Sequence, residues 1–312
     1  MSQYDFDFII VGSGPAGLSA SIIAAQRGLR VIVLESGTFG GLLMSLYPRK
    51  VIPNYPGFSG TAQELAKRFL AEAQSLGVEL KKERAIEITP QKTVKTDEGE
   101  YQGKAVLIAT GSRPRELGVL GEAEFSYGDR GVYYYVTAPE KFRGKKVLVV
   151  GGGDSAVDSA LDLSNVAGEV ILVHRRDRFR AVESNLEKLR QKSNVKILVN
   201  NELEEVKGTE YVEKAVLFNN KSWERFEVEA GAVIITAGLI PNNEIFQKLE
   251  LKLDEEGRII TDERQRTNLK GIFAAGDIVS STGKMELIIV AIAQGMIAAH
   301  NAYLEIAQAY WK

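Results

Sequence analysis

Phe6-Asp7-Phe8-Ile9-Ile10-Val11-Gly12-Ser13-Gly14-Pro15-Ala16-Gly17 is the stretch on which the fold of this chain turns. Phe6 to Val11 reads as a short apolar strand of the buried parallel kind, because a strand covered on both faces has no reason to alternate polar and apolar residues. The three glycines follow as G-x-G-x-x-G, each with a separate physical task. Gly12 allows the tight turn, Gly14 lets the backbone approach a pyrophosphate, and Gly17 lets the next helix pack on the strand. A helical stretch from Leu18 to Gln26 comes next, with its N-terminus toward the anion. Arg30 to Leu34 is a second apolar strand, and Glu35 closes it 18 residues beyond Gly17, where an acid accepts hydrogen bonds from ribose hydroxyls. The segment is a βαβ unit.

A second unit of the same kind occupies the middle of the chain. Lys146 to Val150 is its first strand, Gly151-Gly152-Gly153-Asp154-Ser155-Ala156 its loop, a helix runs to about Ser164, and Glu169 to Val173 is its second strand. Ala156 takes the third glycine position. The acid expected after the second strand is missing, and His174-Arg175-Arg176 stands there with Arg180 shortly after. An acid would select a free 2′-hydroxyl, whereas guanidinium groups grip a 2′-phosphate by charge-assisted, often bidentate hydrogen bonds. The site therefore reads as NADP, with a solvated basic turn as the alternative. One acidic and one basic dinucleotide site imply a resident cofactor and a visiting one, as in a flavoprotein fed by NADPH.

Elsewhere, Ala105 to Ala109, Ala232 to Thr236 and Gly271 to Ala275 read as apolar strands ending in glycine turns, and Met285 to about Ile306 as a helix rich in small residues. The expected fold is α/β, with two nested Rossmann-like, three-layer domains. Residues 1–114 and 241–312 would form the FAD-binding domain, with the NADP-binding domain, 115–240, inserted into it. The connections near 112–118 and 238–242 would permit domain rotation.

Composition narrows the chemistry. The 312 residues are 45% hydrophobic and 26% charged, with a formal net charge of −2, an ordinary globular balance with nothing to attract nucleic acid. No apolar run approaches the roughly 20 residues of a membrane span, and the first strand sits behind Asp5 and Asp7 instead of a basic leader, so the expectation is a cytoplasmic protein without membrane contact. There is no cysteine, and the two histidines, His174 and His300, are far apart in sequence. Disulfides, thiolate metal sites and dithiol relays are excluded, and a metal centre is not expected. Lys141, Arg143, Lys145 and Lys146 crowd the entry to the second unit, as a docking face or as a solvated turn.

Gly271-Ile272-Phe273-Ala274-Ala275-Gly276-Asp277 and His174-Arg175-Arg176-Asp177-Arg178-Phe179-Arg180 resemble the signatures of the low-molecular-weight thioredoxin reductase family, over essentially the whole chain. The resemblance implies resident, non-covalent FAD, with Asp277 on its ribityl and phosphate end and the next helix N-terminus at the flavin's pyrimidine edge. The cysteine pair of that family is absent. Gly131-Val132-Tyr133-Tyr134-Tyr135-Val136-Thr137-Ala138 places Tyr135 and Ala138 where the sulfurs would be. The chain is more similar to the cysteine-free ferredoxin:NADP reductases of thioredoxin-reductase type, at Leu46-Tyr47-Pro48-Arg49-Lys50, Tyr134-Tyr135, Gly152 to Asp158, and Gly283-Lys284.

That resemblance implies Tyr47 stacking on the isoalloxazine, although a packing tyrosine in a Pro-bounded loop fits the same residues. It also implies an FAD set of Gly12, Gly14, Pro15, Ala16, Gly17, Glu35, Gly41, Tyr47, Asn54, Ala85, Gly111, Asp277 and Leu287. The corresponding NADP set is Gly153, Asp154, Ser155, Ala156, His174, Arg175, Arg176, Arg180 and Gly238. Members of that branch commonly extend further to cover the second flavin face, and here Tyr310-Trp311-Lys312 follow the last helix, as a substitute cover or as helix-end packing. The implied activity passes electrons between NADP(H) and ferredoxin or flavodoxin, with no catalytic acid, base or nucleophile, in a homodimer. An NADPH oxidase or diaphorase acting on oxygen, quinones or free flavin, and a redox sensor without turnover, are the competing readings.

Overall fold

The computed structural model of the protein describes residues 4–46, 48–52, 54–280 and 286–307. In chain order, β1 (Phe6–Val11), α1 (Pro15–Gln26) and β2 (Val31–Leu34) form the first βαβ unit. A short α2 (Leu42–Ser45), α3 (Ala62–Ser75) and β3 (Glu79–Lys81) follow, then β4 (Ala85–Ile88), β5 (Thr93–Thr96) and β6 (Glu100–Ile108). β7 (Ser112–Pro114) leads to α4 (Glu122–Ser126), β8 (Val132–Tyr133), β9 (Lys146–Val150), α5 (Asp154–Ser164), β10 (Glu169–His174), α6 (Glu183–Arg190) and β11 (Val195–Val199). After β12 (Asn201–Gly208), β13 (Val212–Asn219), β14 (Arg225–Glu229) and β15 (Ala232–Ile235), β16 (Leu239–Pro241) precedes β17 (Ile272–Ala274) and α7 (Ile288–Ala307). The chain divides into two compact units, Met1–Arg113 with Ile240–Lys312, and Pro114–Leu239.

The first unit is built on a sheet in which β3, β2, β1, β6 and β17 run parallel. Alternate residues of each strand enter opposite cores. Phe8, Ile10, Val31, Val33, Ala105, Leu107 and Phe273 pack with α1, α3 and α7, while Ile9, Val11, Ile32, Leu34, Val106, Ile108, Ile272 and Ala274 pack with Ile88, Val94 and Phe246 on the other face. Burial on both sides is why these strands read as continuous apolar runs. β6 begins five residues before the stretch expected from sequence, because residues 100–102 pair antiparallel with β5 before the strand enters the parallel sheet.

The second unit repeats the plan with the order β11-β10-β9-β15-β8, all parallel. Val147, Val149, Val170, Leu172 and Ile234 meet α5 and α6. Leu148, Ile171, Val173, Val233 and Ile235 meet the antiparallel sheet β12-β13-β14, through Leu203, Val206, Ala215 and Leu217. Both units are therefore three-layered and Rossmann-like.

Candidate functional site: two glycine loops at the carboxyl ends of parallel strands

The two fingerprint loops are built alike. The Gly12 N–H donates to the Leu34 carbonyl at 2.8 Å and the Ala109 N–H to the Val11 carbonyl at 2.8 Å. In the second unit the Gly151 N–H donates to the Val173 carbonyl at 3.0 Å and the Thr236 N–H to the Val150 carbonyl at 2.8 Å. Each loop is thereby held between two strand ends, at the place where open parallel sheets bind ligands.

Crowding separates the glycines by task. A Cβ on Gly12, whose φ is +104°, would fall 2.2 Å from the Ala109 carbonyl oxygen, and one on Gly17 would fall 1.9 Å from the Gly12 oxygen. These two are demanded by the fold. A Cβ on Gly14 or on Gly153 would meet no atom within 4 Å. Those two glycines open the way for a ligand to reach the backbone, and each precedes a helix, α1 or α5, that lacks a side-chain cap. Backbone N–H groups at a helix N-terminus with no side-chain cap suit a pyrophosphate, so the residues present fit a dinucleotide in both units.

In the first unit, Glu35 accepts from the Ser13 N–H at 2.9 Å and the Ser13 hydroxyl at 2.7 Å through Oε2, and from the Gly37 N–H at 2.7 Å through Oε1. The acid thus staples the loop together. The Ser13 hydroxyl also receives the Gly40 N–H, and Gly41 lies so close that a Cβ on it would fall 2.9 Å from the Gly14 Cα. Pro15 and Ala16 open α1, because proline suits a first helical position that has no intrahelical use for its missing N–H.

The Gly276-Asp277 turn reaches the same edge. A Cβ on Gly276 would fall 3.0 Å from that of Ala16, and the Gly276 N–H donates to Gln294 of α7. The Asp277 carboxyl accepts from the Ser112 hydroxyl at 3.3 Å, and its pKa is pushed up by burial and by the negative charge of Glu286. The Arg258 guanidinium donates to the Asp277 carbonyl at 3.4 Å and pairs with Glu286 at 2.6 Å. Gly111 stands beside this group with φ +63° and open space around it, its carbonyl held by the Asn242 N–H.

Three expected FAD residues are joined to this cluster by no hydrogen bond among the described residues. Asn54 is exposed, Ala85 is buried at the start of β4, and Leu287 is half-buried just before α7. Tyr47, Gly283-Lys284 and Tyr310-Trp311-Lys312 lie outside the described residues.

In the second unit Ser155 is exposed on the first turn of α5, and Ala156 is fully buried against the sheet. The Asp154 carboxylate accepts from the Val182 N–H at 2.8 Å. Arg175, Arg176 and Arg180 are exposed, and among the described residues their guanidinium groups are in no ion pair. His174 is buried instead, so it stands apart from the three arginines in environment. Gly238 is exposed with φ +97°, its carbonyl accepting from the Arg115 N–H.

Sequence reading missed Ser13, Ser112, Gln294 and Arg258, which orient Glu35 and the Gly276-Asp277 turn. Only Ser13 carried a signal, a hydroxyl inside the fingerprint facing the acid that closes β2. The others come from distant parts of the chain and are joined by folding. No helix among the described residues is long and apolar enough to cross a membrane, and they hold no cluster of metal-ligating side chains.

The model of the pyridine nucleotide-disulphide oxidoreductase family matches residues 6–295. The ferredoxin--NADP reductase of Metallosphaera sedula is 38% identical over 308 residues, covering 94% of this chain and 91% of the relative. The thioredoxin reductase of Peptoclostridium acidaminophilum is 35% identical, covering 95% and 96%. Among solved structures, Lactococcus lactis thioredoxin reductase in its FR conformation superimposes with a TM-score of 0.87 at 34% identity, covering 97% of this chain and 100% of that one.

Proposed function

We propose, from the premise that this chain belongs to the pyridine nucleotide-disulphide oxidoreductase family, that it is an FAD-dependent enzyme moving electrons between NADP(H) and a ferredoxin or flavodoxin. The observation that carries this reading is the complete lack of cysteine in a chain 38% identical to a ferredoxin--NADP reductase. A thiolate is what attacks a disulfide, and no other side chain replaces it.

In the segment that stands where thioredoxin reductases carry their cysteine pair, Tyr133 and Tyr134 are tied down. The Tyr133 ring stands edge-on to Phe142 at 5.2 Å, and its hydroxyl donates to the Asp129 carbonyl at 3.4 Å. Burial and the nearby Asp129 carboxylate push its pKa up to about 12. The Tyr134 hydroxyl donates to the buried Glu122 carboxylate at 3.1 Å, and burial with that charge raises its pKa further. Both phenols stay neutral at working pH.

FAD, when bound, supplies the exchange between a hydride from nicotinamide and single electrons for the protein partner. The chain's task is holding and orienting. In this reading Gly14 and the N-terminus of α1 hold the FAD pyrophosphate, Glu35 turns the free lone pair of Oε1 to a ribose hydroxyl, and Asp277 takes the ribityl end. Gly153, Ser155 and the N-terminus of α5 hold the coenzyme pyrophosphate, and Arg175, Arg176 and Arg180 take its 2′-phosphate. A second copy of the chain docks on α7, whose Ile289, Met296, Ile297 and Leu304 form an apolar stripe, each 38–39% exposed. A cytoplasmic location belongs to the same reading.

The test is an anaerobic titration with NADPH followed by a screen of acceptors. Bleaching of the flavin within a turnover, with ferredoxin or flavodoxin reduced far faster than oxygen, quinone or disulfide, is expected. Equal or faster oxygen or quinone reduction would make the protein an oxidase or diaphorase, and a flavin that NADPH does not bleach would make it a sensor.

A further inference from the structure

We propose that His174 is a positioning residue for coenzyme choice, latching the arginine turn onto the second glycine loop without touching the coenzyme itself. The inference rests on the reading of Arg175, Arg176 and Arg180 as the seat of the 2′-phosphate.

The imidazole ends β10 and is 9% exposed. Its flank lies against the backbone of Gly152, where a Cβ would fall 2.1 Å from the ring Cε1 and 2.3 Å from Nδ1. Only glycine leaves room for the ring. On the other side Nε2 stands 3.0 Å from the Arg178 carbonyl. A carbonyl oxygen can only accept, so Nε2 carries the proton and donates. The Phe179 ring packs on the imidazole at 4.9 Å, tilted by 36°.

Two more bonds hold the same turn. The Arg180 N–H donates to the Gly152 carbonyl at 2.8 Å, and the Val182 N–H donates to the Asp154 carboxylate at 2.8 Å. The turn is thus fastened at its start by His174, in its middle through the Arg178 carbonyl, and at its exit by Arg180 and Asp154. What remains outside is the row of arginine side chains, exposed and in no ion pair among the described residues. Fixing the backbone beneath long, rotamer-rich side chains reduces the freedom they lose when they close on a phosphate. The latch acts on the 2′-phosphate clamp and leaves the rest of the dinucleotide path alone, so its loss separates NADP from NAD.

Calorimetric titration of the purified protein with NADP⁺ and with NAD⁺ reads this directly. His174→Phe keeps a ring against Gly152 but has no donor, and its Kd for NADP⁺ is expected to rise about tenfold while that for NAD⁺ moves less than about threefold. His174→Gln carries an amide that reaches the same carbonyl, and it is expected to bind NADP⁺ within about threefold of the parent. Should His174→Phe not fold, His174→Leu, which also has no donor for the Arg178 carbonyl, takes its place, and the same split is expected. Undiminished NADP⁺ binding, or an equal loss for both coenzymes, overturns the proposal. Arg175→Ala with Arg176→Ala runs beside these variants. If that pair keeps its NADP⁺ preference, the reading of the arginines falls. If the pair loses it while the donor-less His174 variants do not, only the latch falls.

Discussion

Two glycines of one fingerprint are expected to fail in different ways, because they face different things. Gly17 faces the Gly12 carbonyl at a distance no methyl group can occupy, so Gly17→Ala should destabilise the folded protein by about 1 to 3 kcal/mol, as overpacking does, with a lowered Tm in the absence of ligand. Gly14 faces open space with ordinary negative φ. Gly14→Ala should therefore fold as the parent does and lose FAD, which the ratio of flavin to protein absorbance measures; a Gly14→Ala protein that retains its flavin refutes the pyrophosphate role. His174 makes a pH prediction. Burial, with the nearby Arg175, Arg176 and Arg180 charges, holds its pKa below the ordinary value of 6.5, against a raising contribution from the Arg178 carbonyl. As pH falls below 6.5 the unfolded chain takes up this proton before the folded one does, so stability contributed by the neutral ring is lost on acidification. Thermal melts at pH 7.5 and 5 should show a larger fall for the parent than for His174→Gln, and equal falls would refute it. Arg175 and Arg176, being exposed, should act through a screened attraction, and the NADPH preference should weaken as salt is added.

Helices α1 and α7 pack at the closest approach that small residues allow. A Cβ on Gly295 would fall 2.1 Å from the Ala16 carbonyl, and the Ser19 hydroxyl donates to the Ile292 carbonyl at 3.2 Å. Of the small residues of this last helix, Ala291, Gly295, Ala298 and Ala299 are buried and Ala293 is exposed; of its larger apolar residues, Ile292 and Ile306 are buried while Ile289, Met296, Ile297 and Leu304 face out. If that outer stripe receives a second chain, Ile297→Glu places a charge in the interface, and sedimentation should show monomers where the parent sediments as a dimer. A parent that is monomeric at working concentration, or a dimer unaffected by the charge, refutes the α7 interface. The helix begins at Ile288, three residues after the expected Met285, a boundary that propensity alone does not settle.

At the scale of the whole molecule, a resident flavin requires that residues from four separate stretches serve one edge of the first unit's sheet: the Gly12 loop, Glu35 with Gly41, Gly111 with Ser112, and the Gly276-Asp277 turn. The purified protein should accordingly be yellow, with one FAD per chain. Colourless protein that cannot be reconstituted with FAD refutes the flavoprotein reading. With no cysteine anywhere, its electrons should reach ferredoxin or flavodoxin and leave added thioredoxin oxidised.

Local pattern sufficed for the two βαβ units. Continuous apolar runs such as Phe8 to Val11 mark strands buried on both faces, and glycines at fixed spacing mark the turns, so the central strands of both parallel sheets were legible in the sequence, while the outer strands β3, β8 and β11 were not. The chemistry the chain lacks was legible too, since the absence of cysteine is a fact of composition. The antiparallel layers β4-β5 and β12-β14 were not, because their strands mix exposed and buried residues without a clear period. Within the sites, the sequence marked Glu35 and His174 as ligand-facing, and only the tertiary structure showed that each binds the protein's own backbone. Glu35 holds Ser13 and Gly37, and His174 holds the Arg178 carbonyl beneath Gly152. The reason is physical: a hydrogen-bond partner 22 residues away, or a space left by a missing Cβ, exists only after the chain has closed on itself.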